Sequence, residues 1–283
     1  MKNCKTIAIV NQKGGVGKTT TCANLGIGLA RCGVKVLLID ADAQGSLTAS
    51  LGYQPDELKI TLSTIIGRCI NDESFPDSEG ILQHEEGEQP NTISVDLLPS
   101  NIDLAGVESS IVGVMCRESI LRQYINQIKH NYDYILIDCM PSLGMMTINA
   151  LTAADSVLIP VQPQYLPIKG LEQLLKTINH VRKNLNSNLS IDGILLTMVD
   201  TRTKYAKELI KKLHEAFDGH IKIFENSIPL SVRASETSAD GVSIYSHDPN
   251  GKVDNFDLNF SNNILKITSS MIKLVKFQEL MKH

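Results

Sequence analysis

None of the six cysteines belongs to a CxxC pair; they stand alone at positions 4, 22, 32, 69, 116 and 139. In a chain of 283 residues that spacing excludes a zinc ribbon and a disulfide framework, leaving small core residues or free thiols. A basic, apolar-cored leader is not expected either, since Met1-Lys2-Asn3 runs straight into a strand-like segment. No stretch reaches the roughly 20 apolar residues that a membrane-spanning helix needs. A cytoplasmic protein is expected. Positive charge is not in excess either: the formal net charge is −4 and the pI is near 6.0, so nucleic-acid binding would need a local patch. Disorder is not the default reading, because 42% of the residues are hydrophobic and can bury a sizeable core.

Short apolar runs alternate with helical patterns along the chain. Strands are expected at Thr6–Asn11, Val34–Asp40, Val95–Leu98, Tyr134–Asp138, Val157–Val161, Ile191–Val199 and Ile221–Phe224. Each reads as nearly continuous in Val, Ile and Leu, the pattern of parallel strands covered on both faces. Helices are expected near 19–32, 117–130, 168–185, 204–217 and 260–278. This alternation predicts an α/β fold: one domain over 1–283, with a doubly wound, mostly parallel sheet flanked by helices. Residues 71–96 depart from it, with eight acidic residues and no Lys or Arg, and read as an acidic surface insertion.

The chemistry gathers where the first strands end. After Thr6–Asn11 comes Lys13-Gly14-Gly15-Val16-Gly17-Lys18-Thr19-Thr20, opening a helix. Glycines let backbone N–H groups turn around phosphates, and the helix N-terminus adds partial positive charge. In such a phosphate loop Lys18 contacts the β- and γ-phosphates and the Thr19 hydroxyl ligates Mg²⁺. The strict pattern has glycine where Gln12 stands. A dinucleotide-binding turn would not explain Gly-Lys-Thr at the helix start. The second strand ends in Asp40-Ala41-Asp42-Ala43-Gln44-Gly45, carboxylates able to reach Mg²⁺ or a lytic water. Tyr134-Ile135-Leu136-Ile137-Asp138 is another apolar strand ending in a carboxylate, suited to hold Mg²⁺.

The extra lysine at position 13 makes the loop resemble the signature of the ParA/MinD family of deviant Walker A ATPases. The resemblance implies a P-loop ATPase using ATP and Mg²⁺, in which Lys13 reaches across a nucleotide-sandwich homodimer to the partner's phosphates. It also implies that Asp42 positions or activates the attacking water, while Asp40 supports the loop and the metal shell. The family's Asp-x-Asp-Pro-Gln-Gly segment has Ala43 in place of proline here, and Met140 stands where a second proline is commoner in Cys139-Met140-Pro141-Ser142-Leu143-Gly144. Further matches are Ala154-Asp155-Ser156 through Val161, Gln164-Tyr165, Gly170-Leu171 and Thr197 to Arg202. Ile228-Pro229, Ser231-Val232-Arg233 and Ser235-Glu236 look like the loop that closes on adenine, with Leu230 where arginine is common.

Within that family the chain is most similar to ParA/Soj partition ATPases of chromosomes and plasmids. The resemblance implies slow ATP hydrolysis stimulated by a ParB-like centromere-binding protein, and non-specific DNA binding by the ATP-bound dimer, which would then sit on the nucleoid. About five residues precede the first strand, so the helix-turn-helix extension of some plasmid relatives is not expected. Residues 169–233 hold eleven Lys and Arg against seven Asp and Glu, a local excess of positive charge for non-specific DNA contact. Arg202 and Arg233 match positions of DNA contact in Soj-like relatives, and Lys204, Lys207, Lys211 and Lys212 follow closely. The alternatives are a MinD-like membrane-associated positioning ATPase and a nucleotide-switch regulator. A membrane anchor is not expected, because the lysines of 263–283 form no clear polar face.

Overall fold

The computed structural model describes residues 4–87, 92–163, 167–200, 202–217, 219–230, 243 and 245. Its strands are β1 (Lys5–Ile9), β2 (Val36–Ala41), β3 (Leu82–Glu86), β4 (Ile93–Leu98), β5 (Tyr134–Cys139), β6 (Ser156–Val161) and β7 (Ser190–Leu196). The helices are α1 (Lys18–Arg31), α2 (Ser46–Ser50), α3 (Leu62–Ile70), α4 (Asp103–Ser110), α5 (Ile120–Ile128), α6 (Met145–Ala153), α7 (Pro167–Asn184) and α8 (Lys204–Phe217). One sheet runs β3-β4-β2-β5-β1-β6-β7, parallel throughout except for the antiparallel β3 edge.

Strand pleating divides the core in two. Ile7 and Ile9 of β1 pack on the face covered by Leu25, Ile27 and Leu29 of α1. Ala8 and Val10 face the opposite layer, with Leu62, Leu121, Leu151 and Leu174 from α3, α5, α6 and α7. Successive strand residues point to opposite faces, so a sheet covered on both needs apolar residues at nearly every position. The approach of α1 to β2 is close enough to require glycine: a Cβ at Gly26 would lie 2.5 Å from Leu38 Cδ2. At the end of the sheet where β1 begins, Lys5 Nζ lies 3.0 Å from each oxygen of Asp192, tying β1 to β7 across β6. Ser156 Oγ donates to the same carboxylate at 2.7 Å.

Six of the seven expected strands lie where the apolar runs place them. The seventh, Ile221–Phe224, runs beside β7 but pairs only through an isolated bridge between Ile194 and Ile223. Gly193 N-terminal to that bridge, at φ 152°, brings β7 so close that a Cβ there would meet Lys222 O at 2.7 Å. The helix expected at 117–130 is α5 with single 3₁₀ turns before and after it. Helices α2, α3, α4 and α6 are not among those expected; α6 is apolar on most of its surface and carries no one-sided stripe. Within the acidic stretch 71–96, β3 pairs with β4, and Glu86 is buried, accepting Ser243 N–H at 2.7 Å. The helix expected at 260–278 lies outside the described residues, as do Gln164, Tyr165, Arg233, Ser235 and Glu236. Among the described residues no helix is long and apolar enough to cross a membrane.

Candidate active site

Strand β1 delivers the chain into the glycine-rich loop, and α1 begins at Lys18. Gly15 and Gly17 adopt φ of 68° and 80°, left-handed conformations that turn the loop back onto the helix axis. Four contacts hold the loop in place. Asn11 Nδ2 donates to Pro160 O at 2.7 Å, and Asn11 Oδ1 accepts Lys13 N–H at 3.0 Å. Gln12 Nε2 reaches Gly170 O at 3.0 Å, and Thr197 Oγ1 donates to Val16 O at 2.8 Å. The glutamine that departs from the strict pattern therefore ties the loop to α7.

Lys18 is 7% exposed and folds back over the loop, with Nζ 3.4 Å from Lys13 O. Burial pushes its ammonium below the ordinary lysine range, opposed by the nearby carboxylates of Asp138 and Asp42. An ammonium held out of water beside a glycine-rich loop and the start of a helix suits a phosphate anion. Gly14 and Pro141 bring the loop against the segment after β5, where a Cβ on Gly14 would be 3.9 Å from Pro141 Cβ. Beside this contact, toward α7, lies a cavity of about 500 Å³ bounded by Gln12, Lys13, Pro141, Ser142, Gln162 and Gly170.

Thr19 and Asp138 meet although 119 residues separate them: Thr19 Oγ1 donates to Asp138 Oδ2 at 2.6 Å. The other carboxylate oxygen, Asp138 Oδ1, is buried without a hydrogen-bond partner. Burial raises the Asp138 carboxyl well above the ordinary range, and Asp40 beside it in the β2–β5 register adds repulsion. A hydroxyl and an orphaned carboxylate oxygen next to a phosphate loop fit Mg²⁺, which binds through one or two carboxylates plus phosphate oxygens and water.

Asp40, expected among the residues holding the metal, has both of its oxygens engaged by the protein. Oδ2 accepts Thr48 N–H and Thr48 Oγ1–H, each at 2.8 Å, and Oδ1 accepts Asp42 N–H at 3.2 Å. Asp40 organises the turn that carries Asp42. The Asp42 side chain is half-buried and accepts Gln44 N–H at 3.1 Å. Neither Thr48 nor Asn11 was read from the sequence as part of the site, because a threonine in a helix and an asparagine after a strand carry no distinguishing local pattern.

Pro229 is bridged to Val199 just beyond β7, and Thr20 sits in the first turn of α1. Arg202 is exposed and its guanidinium is already bidentate on Asp200, at 2.8 Å and 3.0 Å. Lys204, Lys207, Lys211 and Lys212 are exposed on α8.

A family model described as an AAA domain matches residues 4–191. The chain is 43% identical over 248 residues to the sporulation initiation inhibitor protein Soj of Bacillus subtilis, covering 88% of this chain and 93% of that protein. It is 40% identical over 244 residues to the chromosome-partitioning ATPase Soj of Treponema pallidum, covering 86% and 90%. In three dimensions it resembles the cobyrinic acid a,c-diamide synthase of Mycobacterium smegmatis solved with an ATP analogue and magnesium. That likeness has a TM-score of 0.78 and 30% identity, over 96% of this chain and 95% of the other. With a phosphate loop of this geometry and relatives matching along most of its length, the chain belongs to the Soj/ParA family of chromosome-partitioning ATPases.

Proposed function

We propose that the chain is a partition ATPase that hydrolyses ATP slowly and uses its nucleotide state to control a DNA-bound homodimer. The observation that carries the reading is the Thr19–Asp138 pair, with its unpartnered carboxylate oxygen, at the start of the helix that follows the phosphate loop. Thr19 and Asp138 would hold Mg²⁺, which when bound offsets phosphate charge and orients the β- and γ-phosphates. Gly14 to Thr20 cradle the phosphates with backbone N–H groups, and Lys18 places its ammonium on the β- and γ-phosphates. Lys13 reaches the phosphates held by the second protomer, so that dimerisation requires the triphosphate. Asp42 orients the water in line with the γ-phosphate, and Pro229 opens the loop that covers the base.

The exposed lysines of α8, with Arg202, supply a positive surface that dimerisation doubles; Arg233, expected to add to it, lies outside the described residues. Binding through phosphate neutralisation is sequence-independent and weakens with salt. A ParB-like partner stimulates hydrolysis, and loss of the γ-phosphate releases the dimer from the nucleoid. The test is retention of arbitrary duplex DNA with ATP, ADP or no nucleotide, for wild type and Asp42→Ala, across a salt series. Retention only with ATP, persisting in Asp42→Ala and fading with salt, is expected. No retention in any state would remove the DNA-riding dimer.

A further inference from the structure

A hydrogen-bonded chain runs from the end of β4 to the loop that presents Asp42. Ser100 N–H donates to Thr48 Oγ1 at 3.0 Å. A backbone N–H can only donate, so the Thr48 hydroxyl proton must point the other way, to Asp40 Oδ2 at 2.8 Å. Thr48 N–H adds a second bond to the same oxygen at 2.8 Å. The remaining Asp40 oxygen accepts Asp42 N–H at 3.2 Å, and Gly45 N–H returns to Asp42 O at 3.0 Å. Thr48 and Asp40 are both fully buried, so no water competes for these bonds.

We propose that Thr48 is a positioning residue for hydrolysis, holding Asp42 at the γ-phosphate side of the site through Asp40. This rests on the reading of Asp42 as the residue that orients the attacking water. Helix α2 has only five residues and is seated by Leu47 and Leu51, both in the core. Those apolar contacts keep the helix in place without the hydroxyl. What the hydroxyl adds is direction: it fixes the Asp40 carboxylate so that its second oxygen meets the Asp42 backbone. Displacing a water-orienting group by about 1 Å can lower turnover by as much as about 100-fold.

The test uses the full chain with Thr48→Val, which keeps the shape and removes the hydroxyl, and Thr48→Ser, which restores it. Phosphate release from Mg²⁺-ATP, affinity for a non-hydrolysable ATP analogue and thermal melting are measured for each. Thr48→Val is expected to lower kcat by about 10- to 100-fold while analogue affinity stays within about 2-fold, and Thr48→Ser to recover most of the rate. Wild-type turnover in Thr48→Val, or equal losses of kcat and affinity, would overturn the proposal. If Thr48→Val does not fold, Asp40→Asn carries the test through a Mg²⁺ titration of turnover. Lower kcat at an unchanged half-saturating Mg²⁺ supports positioning; a raised Mg²⁺ requirement makes Asp40 a metal ligand and overturns it. Asp42→Ala is run alongside, and wild-type turnover there would remove the role of Asp42 itself, whatever Thr48→Val does.

Discussion

Thr19 Oγ1 and Asp138 Oδ2 are joined by a 2.6 Å hydrogen bond, while Asp138 Oδ1 is buried with nothing to bond to. The pair keeps an acceptor out of water in the ligand-free chain, so it is destabilising until a cation arrives. Asp138→Asn should therefore move stability and activity in opposite directions. Ligand-free melting at pH 8 should rise, while Mg²⁺-dependent ATP hydrolysis should fall by about 10- to 100-fold or more. A variant that melts lower without ligand would contradict this account of the site.

Asp40 sets a pH dependence of definite sign. Burial pushes its carboxyl up to about 6, against the bonds from Thr48 and Asp42 that favour the charged form. The unfolded value is about 3.9, so the folded state binds the proton more tightly. The resulting stabilisation is fully present below about pH 4 and is lost as pH rises through about 6. A shift of about two units corresponds to about 3 kcal/mol in total, of which about half remains to be lost above pH 5. Asp138, raised by burial and by Asp40, adds in the same direction. Urea denaturation in EDTA without nucleotide should show lower stability at pH 8 than at pH 5.

Gly45 begins α2 at φ 60°, and a Cβ there would lie 2.8 Å from Pro55 Cγ and 3.0 Å from Ser100 O. Gly33 has φ 82° but open space around its missing side chain. Gly33→Ala should cost only the left-handed penalty of about 1–2 kcal/mol. Gly45→Ala should cost about 1–3 kcal/mol more, because backbone as well as side chain must yield. Equal midpoints in urea for the two variants would show that the turn carrying Asp42 is not tightly packed.

The buried Lys5–Asp192 pair predicts a large single-mutant effect. Lys5→Met leaves the Asp192 carboxylate in the core with only Ser156 to bond it, and should cost about 3–5 kcal/mol. The double variant Lys5→Met, Asp192→Leu should be less damaging than the sum of the two single changes. Additive losses would mean that the two groups do not depend on each other.

Arg202 can give DNA a charge only as far as Asp200 releases it. Asp200→Asn should increase retention of duplex DNA in the ATP state, and Arg202→Ala should reduce the salt slope by about one unit. Unchanged slopes in both variants would remove Arg202 from the DNA surface.

The layout of the sheet was legible because its causes are local. Runs such as Leu37-Leu38-Ile39 and Ile135-Leu136-Ile137 are apolar at every position, as strands of a parallel sheet covered on both faces are. The phosphate loop was legible for the same reason: glycines at fixed offsets and Lys-Thr at a helix start act through the nearest backbone. Strand β3 was not legible, since Leu-Gln-His-Glu-Glu looks like acidic loop until β4 offers it a ladder. The sequence by itself determined the alternating α/β order and the residues that can cradle phosphate. Asp40 and Asp138, however, read alike, each ending an apolar strand, and lie side by side in the register. Tertiary structure alone decided that Asp40 is satisfied by Thr48 and Asp42 while Asp138 keeps one oxygen without a partner. The reason is physical: periodicity encodes which face of an element is buried, but the hydrogen-bond partner of a buried carboxylate depends on which elements the folded chain brings to that strand end.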